Sequence, residues 1–172
     1  MEVRFANIND VPLILSFIQK KSEFDREIGA FSGEIKVSEA KIARTIFGRI
    51  PFAYVLFASN LESQDYSAAL RIESPLSVGE IGFALYCFRY SSFAGQPSLW
   101  LDDLYVNEKM RSQGAGTALI NRLVEIAKEN DCTHLAWTAD SRNTRGLKFY
   151  HRLGATITKQ ENNRCFFRYQ IS

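Results

Sequence analysis

The chain has 172 residues, 46% of them hydrophobic, with 21 basic against 19 acidic side chains and a net charge of +2. That length suits one domain with a full core, so residues 1–172 are read as a single domain. The balanced charge argues against a general nucleic-acid surface, and no apolar run approaches the ~20 residues of a membrane span.

Met1 to Phe5 carries no secretory pattern. Val3 to Ala6 predicts a first strand. Asn9 or Asp10 then predicts a helix cap, with Val11, Ile14, Leu15 and Ile18 on one face of the helix. Ser38 to Phe47 reads as a shorter helix ending at Gly48, and Phe52 to Ala58 as a strand after Pro51. Residues 60–77 are polar and turn-rich, predicting a surface loop or hairpin extension. Ile81 to Phe88 is apolar on both alternating sets, the pattern of a central strand covered on both faces. Leu99 to Val106 follows a Gly-Gln-Pro turn region and can pair with it antiparallel. Thr117 to about residue 130 has a helical period, His134 to Thr138 reads as a strand, and Thr144 to Leu153 as a helix closed by Gly154. Ala155 to Lys159 and Cys165 to Gln170 predict a last hairpin. This order predicts an α/β fold around one mixed sheet. The three scattered cysteines, Cys87, Cys132 and Cys165, fit a reducing, cytoplasmic setting better than a disulfide framework.

One segment points to a ligand. Arg111-Ser112-Gln113-Gly114-Ala115-Gly116 lies between a strand and a helix that starts near Thr117. The first amides of a helix lack internal partners and its dipole favours negative charge, so the segment suits a pyrophosphate. It lacks the lysine and hydroxyl of a nucleotide P-loop and has one glycine too few for the dinucleotide fingerprint. The same glycines also read as a helix start that only permits close packing. Just upstream, Asp102 and Asp103 interrupt an apolar strand. Neighbours on a strand point to opposite faces, so one of them looks into a given pocket unless a bulge intervenes. A carboxylate there can hold an ammonium and accept its proton, or pair with an arginine or cap a loop.

These residues resemble the GCN5-related N-acetyltransferase (GNAT) superfamily, whose R/Q-x-x-G-x-G/A signature is matched by Arg111, Gly114 and Gly116. Asn143 to Ala155 is similar to its second signature, an Asn, a Phe-Tyr pair (Phe149, Tyr150) and Leu-Gly-aromatic. Ala155 replaces the last aromatic, and Met110 stands where an aromatic commonly precedes the arginine. The resemblance implies a mostly antiparallel central sheet with helices on both faces. It also implies acetyl-CoA as co-substrate, with its pyrophosphate on residues 111–117 (Arg111, Ser112, Gln113, Gly114, Ala115, Gly116, Thr117). The pantetheine arm would lie along Leu104, Tyr105 and Val106 and touch Asn143. Tyr150 would be the general acid toward the leaving thiolate; the same side chain also suits a helix's core face.

Leu101 to Val106, together with Glu80 to Tyr90 and the aromatic loop to Gly95, further resembles the diamine (spermidine/spermine) acetyltransferase subfamily. On that match Asp102 stands where a proton-accepting Glu is expected, and Asp103 where a substrate-binding Asp is expected. Phe24-Asp25 matches an aromatic-Glu pair that engages the amine. Aspartate for glutamate shortens the reach by one methylene, and Arg26 beside Asp25 competes with a cationic substrate. The expected activity is acetyl transfer to a small polyamine-like or lysine-like amine in a ternary complex. Alternatives are a protein or peptide amine as acceptor, or a non-catalytic acyl-CoA sensor. The subfamily also implies a homodimer, for which the C-terminal hairpin is a candidate interface.

No metal is expected. Cys132 and His134 share a strand face, but no third or fourth ligand has suitable spacing. Arg142, Arg145, Lys148 and Arg152 lack the aromatic platform of a nucleic-acid site and read as a solvated face or as contacts to the cofactor's 3′-phosphate.

Overall fold

The computed structural model describes residues 1–60 and 79–171. Among these residues seven strands form one sheet in the order β1-β2-β3-β4-β5-β7-β6. They are β1 (Glu2–Phe5), β2 (Tyr54–Ser59), β3 (Glu80–Ser91), β4 (Gln96–Val106), β5 (His134–Asp140), β6 (Thr156–Glu161) and β7 (Arg164–Gln170). Every pairing is antiparallel except β4 with β5. Among the described residues four α-helices accompany the sheet: α1 (Val11–Glu27), α2 (Glu39–Ile46), α3 (Ala115–Glu129) and α4 (Thr144–Arg152). The predicted 60–77 segment lies, but for residue 60, outside the described residues.

Two apolar clusters give the sheet its two covered faces. Val11, Ile14 and Phe17 of α1 and Ile42 of α2 pack with Val55, Phe57 and Phe83. Phe17 stacks on Phe83 with ring centroids 5.2 Å apart. On the alternate set of strand positions, Leu56, Ala58, Ala84, Leu99 and Leu101 meet Leu119, Ile120 and Leu123 of α3. Side chains that alternate along β2 and β3 thus feed two different cores, which is why both strands read as continuous apolar runs.

Several boundaries differ from the predicted ones. The cap near residue 10 belongs to Asn7, whose side chain accepts from the Asn9 amide at 2.9 Å and starts a short 3-10 turn. Asp10 makes no side-chain cap bond to α1. It accepts from Arg4 at 2.8 and 2.9 Å, and Arg4 also reaches Glu80. That ion pairing is bidentate, because Arg4 Nη1 and Nη2 together match a carboxylate's two oxygens. The β3–β4 turn lies at Ser92–Gly95, and Gln96-Pro97 already belong to β4. Gly154 does close α4, at φ +85°. No described helix is long and apolar enough to cross a membrane.

Candidate active site

The parallel β4–β5 pairing is short. It joins Leu99 to Leu135 and Trp100 to Ala136, and then stops although both strands continue. Leu101 to Val106 and Trp137 to Asp140 therefore face each other across a cavity of about 700 Å³ that both segments line. The backbone groups on these facing edges lack ladder partners and suit an extended ligand arm. The gap lies at the carboxyl ends of two parallel strands, beside the start of the crossover helix α3, the ligand position of open α/β sheets generally.

The glycine segment lines one side of the cavity. Ser112 (φ +64°) and Gly114 (φ +93°) both adopt left-handed backbone, and α3 begins at Ala115. A Cβ on Gly114 would meet nothing within 4 Å, so this glycine serves backbone conformation at an open face. A Cβ on Gly116 would meet Phe149 Cζ at 3.2 Å, so this one serves packing against α4. The two sequence readings of the glycines thus apply to different residues. The Arg111 amide is spent on the Glu108 carbonyl at 3.2 Å, and its guanidinium on the Val106 carbonyl at 3.0 Å. Helical bonding resumes with the Ala118 amide. The amides left without a partner inside this segment are therefore those of residues 112–117, and Arg111 lies over Phe24 and Tyr105. The Gln113 side chain turns back toward the Lys109 carbonyl and does not line the cavity. Thr117 does line it, as do Arg145, Arg152 and Arg164. Arg145 donates to Ser112 Oγ at 3.0 Å. Asn143 caps α4 by accepting from the Gly146 amide at 2.9 Å, and its Nδ2 makes no hydrogen bond among the described residues.

The two adjacent aspartates separate. Leu85 pairs with Asp103 and Tyr86 with Leu101, so Asp102 is an extra residue with no cross-strand partner. This bulge lets both neighbours line the cavity. Asp102 is exposed and accepts a long bond from Trp100 Nε1 at 3.4 Å, while Arg89 stacks 3.5 Å over the Trp100 ring. Asp103 lies deeper. Burial, with the nearby charges of Asp102 and Asp25, pushes its carboxyl up to about 6 against the pull of Lys21.

Lys21 is the cation that sequence reasoning missed. Its ammonium donates to Asp25 one turn later on α1 and lies 3.7 Å from Asp103. The four-residue spacing was a signal for the first contact; nothing local announced the second. Arg26, the expected competitor, turns away to the Gly33 carbonyl and the Phe31 ring.

Tyr150 is buried among Trp137, Phe149 and Phe167, with centroids at 4.9, 5.3 and 5.2 Å. It also lines the cavity, so core face and site face coincide. Burial, then the charges of Asp103 and Asp25, hold its phenol well above the ordinary tyrosine range, so it stays protonated at neutral pH. Trp137 Nε1 is buried without a partner, a second donor at the cavity wall that the sequence did not single out. Burial raises the Cys87 and Cys132 thiols, which disfavours a thiolate nucleophile at either. Among the described residues no cluster of His, Cys, Asp and Glu could hold a metal ion.

A sequence profile of the acetyltransferase (GNAT) family matches residues 79–155. The chain is 30% identical over 165 residues to a thialysine N-epsilon-acetyltransferase of Bos taurus, covering 95% of this chain and 89% of that one. It is 27% identical over 168 residues to a human spermidine/spermine N(1)-acetyltransferase-like protein 1, covering 98% of this chain and 22% of that longer protein. The fold is shared with the BH1408 protein from Bacillus halodurans, at TM-score 0.71 and 17% identity over 94% of this chain and 97% of that one. With the profile match and a 30% identical relative aligned along nearly its whole length, the chain belongs to the acetyltransferase (GNAT) family and is an N-acetyltransferase.

Proposed function

We propose that the chain, as one domain over residues 1–172, moves an acetyl group from acetyl-CoA to the primary amine of a small polyamine-like or lysine-like substrate, by direct attack in a ternary complex. The observation that carries this reading is that Asp103, Tyr150 and the glycine segment at Ser112 and Gly114 to Thr117 line one cavity. The relatives named for thialysine and spermidine/spermine support an amine of this kind.

The chain fits acetyl-CoA, which when bound supplies the acetyl group as a thioester. The backbone of residues 112–117 and the cations Arg145, Arg152 and Arg164 suit its phosphates. The open edges at Leu104 to Val106 and Trp137 to Asp140, with Asn143 Nδ2, suit its pantetheine arm. Because Arg111 already occupies the Val106 carbonyl, pairing falls to the other backbone groups of that edge.

An amine arrives as an ammonium and must lose a proton before it attacks. In this proposal Asp103, not Asp102, takes that proton. A carboxyl titrating near 6 is ionised at neutral pH yet far more basic than an exposed aspartate. Asp102 at the rim, beside Phe24 on α1, receives the incoming cation, while Asp25 holds the Lys21 ammonium. Tyr150, protonated and inside the same cavity, donates to the departing sulfur.

The partner we propose is a small-molecule amine, with no nucleic acid, membrane or metal involved. The proposed setting is cytoplasmic, supported by three free cysteines. We also propose a homodimer, supported by β6, an edge strand exposed along its whole length.

Acetyl-CoA consumption against a panel of diamines, polyamines and lysine-like amines tests the function. Amine-dependent release of CoA is expected. Acetyl-CoA binding without amine-dependent turnover would favour the sensor, and turnover of peptide amines alone the protein acceptor.

A further inference from the structure

The acidic side of the cavity already contains an ammonium. Lys21 and Asp25 lie four residues apart on one face of α1, and the Lys21 Nζ stands between Asp25 and the Asp103 Oδ1 at 3.7 Å. The three side chains are 22, 24 and 25% exposed, so water screens them only in part. All three line the cavity. The other nearby cations are committed elsewhere: Arg26 to the Gly33 carbonyl and Arg111 to the Val106 carbonyl.

We propose that Lys21 determines the amine specificity of this site, selecting amines that carry a carboxylate over amines that carry only further cations. The inference rests on the acetyl-transfer reading above and names its substrate class.

A diamine reaching Asp103 brings a second ammonium that needs a carboxylate of its own. Asp25 is taken by a tethered cation, which no free ammonium displaces easily at ordinary concentrations. The second charge also meets the Lys21 ammonium across a partly desolvated space, where like charges repel more strongly than in bulk water. An amino-acid-type amine reverses both effects. Its reacting amine approaches Asp103 while its carboxylate accepts from the Lys21 ammonium, which has three donors and spends them on two aspartates. A brace that merely fixed Asp25 would treat both kinds of amine alike, and the two ideas therefore part experimentally.

Lysine and cadaverine differ only by the carboxylate, as do ornithine and putrescine. Each pair is assayed at saturating acetyl-CoA with the wild-type chain and with Lys21→Met, Lys21→Gln and Lys21→Arg. The wild type is expected to favour lysine and ornithine in kcat/KM. Lys21→Met and Lys21→Gln are expected to shift both ratios toward the diamine by about tenfold or more. Lys21→Arg keeps the wild-type order, because the cation remains. Ratios that stay within about twofold of wild type in both neutral variants, even if all rates fall together, would overturn the proposal. Two neutral variants guard against one failing to fold, and a thermal melt identifies that failure. A wild-type chain that binds acetyl-CoA but acetylates none of the four amines overturns the acetyl-transfer reading itself, and is told apart from an unchanged ratio by its absent turnover.

Discussion

Burial, and then the charge of Asp103, push the phenol of Tyr150 upward in the cavity that both residues line. The coupling separates their titrations. Asp103 loses its proton near pH 6, and that lost proton helps Tyr150 keep its own. An ionised carboxylate and a protonated phenol then coexist at neutral pH, the arrangement that the proposed acetyl transfer from a thioester to an amine requires.

Tyr150→Phe removes the hydroxyl and leaves the ring among Trp137, Phe149 and Phe167. Its hydroxyl has no hydrogen-bond partner among the described residues, so little stability is lost with it. Turnover is expected to fall by about 100-fold with acetyl-CoA affinity nearly unchanged. Steady-state rates and calorimetric titration with acetyl-CoA measure the two effects. Wild-type turnover in the variant would remove Tyr150 as the acid.

The pH dependence distinguishes the two aspartates. Because the Asp103 carboxyl is raised to about 6, its basic form is lost as pH falls through that value. The profile of kcat/KM is therefore expected to rise with pH through a limb near 6. Asp103→Asn should abolish that limb and lower the plateau by roughly 100-fold or more. Asp102→Asn should keep the limb and change mainly KM. A limb that disappears with Asp102 instead would return the proton to that residue.

Gly114 and Gly116 fail differently when substituted. Gly114→Val forces a β-branched residue into φ +93°, with a strain of about 1–3 kcal/mol at the start of α3. The glycine segment is expected to distort and acetyl-CoA affinity to fall by about tenfold or more. Gly116→Ala places a methyl 3.2 Å from Phe149, so its first effect is on packing between α3 and α4 and shows in the melting temperature. Equal affinity losses in both variants would argue against this division of labour.

Arg4 holds two largely buried carboxylates, Asp10 and Glu80, whose side chains are 11 and 8% exposed. Arg4→Met leaves both without that partner. The loss is expected at about 2 kcal/mol, reduced because Arg4 itself is 32% exposed. The sign with pH follows from Asp10, whose carboxyl Arg4 holds below its ordinary value. The wild-type contribution is present above the ordinary aspartate range and is lost as pH falls through the lowered one. Urea titrations at pH 7 and pH 3 should therefore differ more for wild type than for the variant.

Much of the architecture was legible. The apolar periods at Leu119, Ile120 and Leu123 and at Val11 and Ile14 did announce α3 and α1, because one buried face repeats every 3.6 residues. The doubly apolar β3 announced a strand covered on both faces. Asn7 was missed as a cap because Asn9 and Asp10 offer equivalent side chains nearby. Asp10 instead closes the capping box from its third position, accepting from the Asn7 amide at 2.7 Å while it pairs with Arg4.

The sequence by itself determined the sheet covered on both faces, the glycine turn before α3 and the family, because periodicity, turn chemistry and motif spacing are local properties of the chain. Only the tertiary structure decided how the carboxylates divide. A bulge opposite Leu85 and Tyr86 leaves Asp102 at the rim and half-buries Asp103, and the approach of α1 sets the Lys21 ammonium between Asp25 and Asp103. Desolvation and Coulomb interaction depend on what surrounds a group in space. Two adjacent aspartates, alike on paper, therefore differ in chemistry once the sheet and helix are assembled.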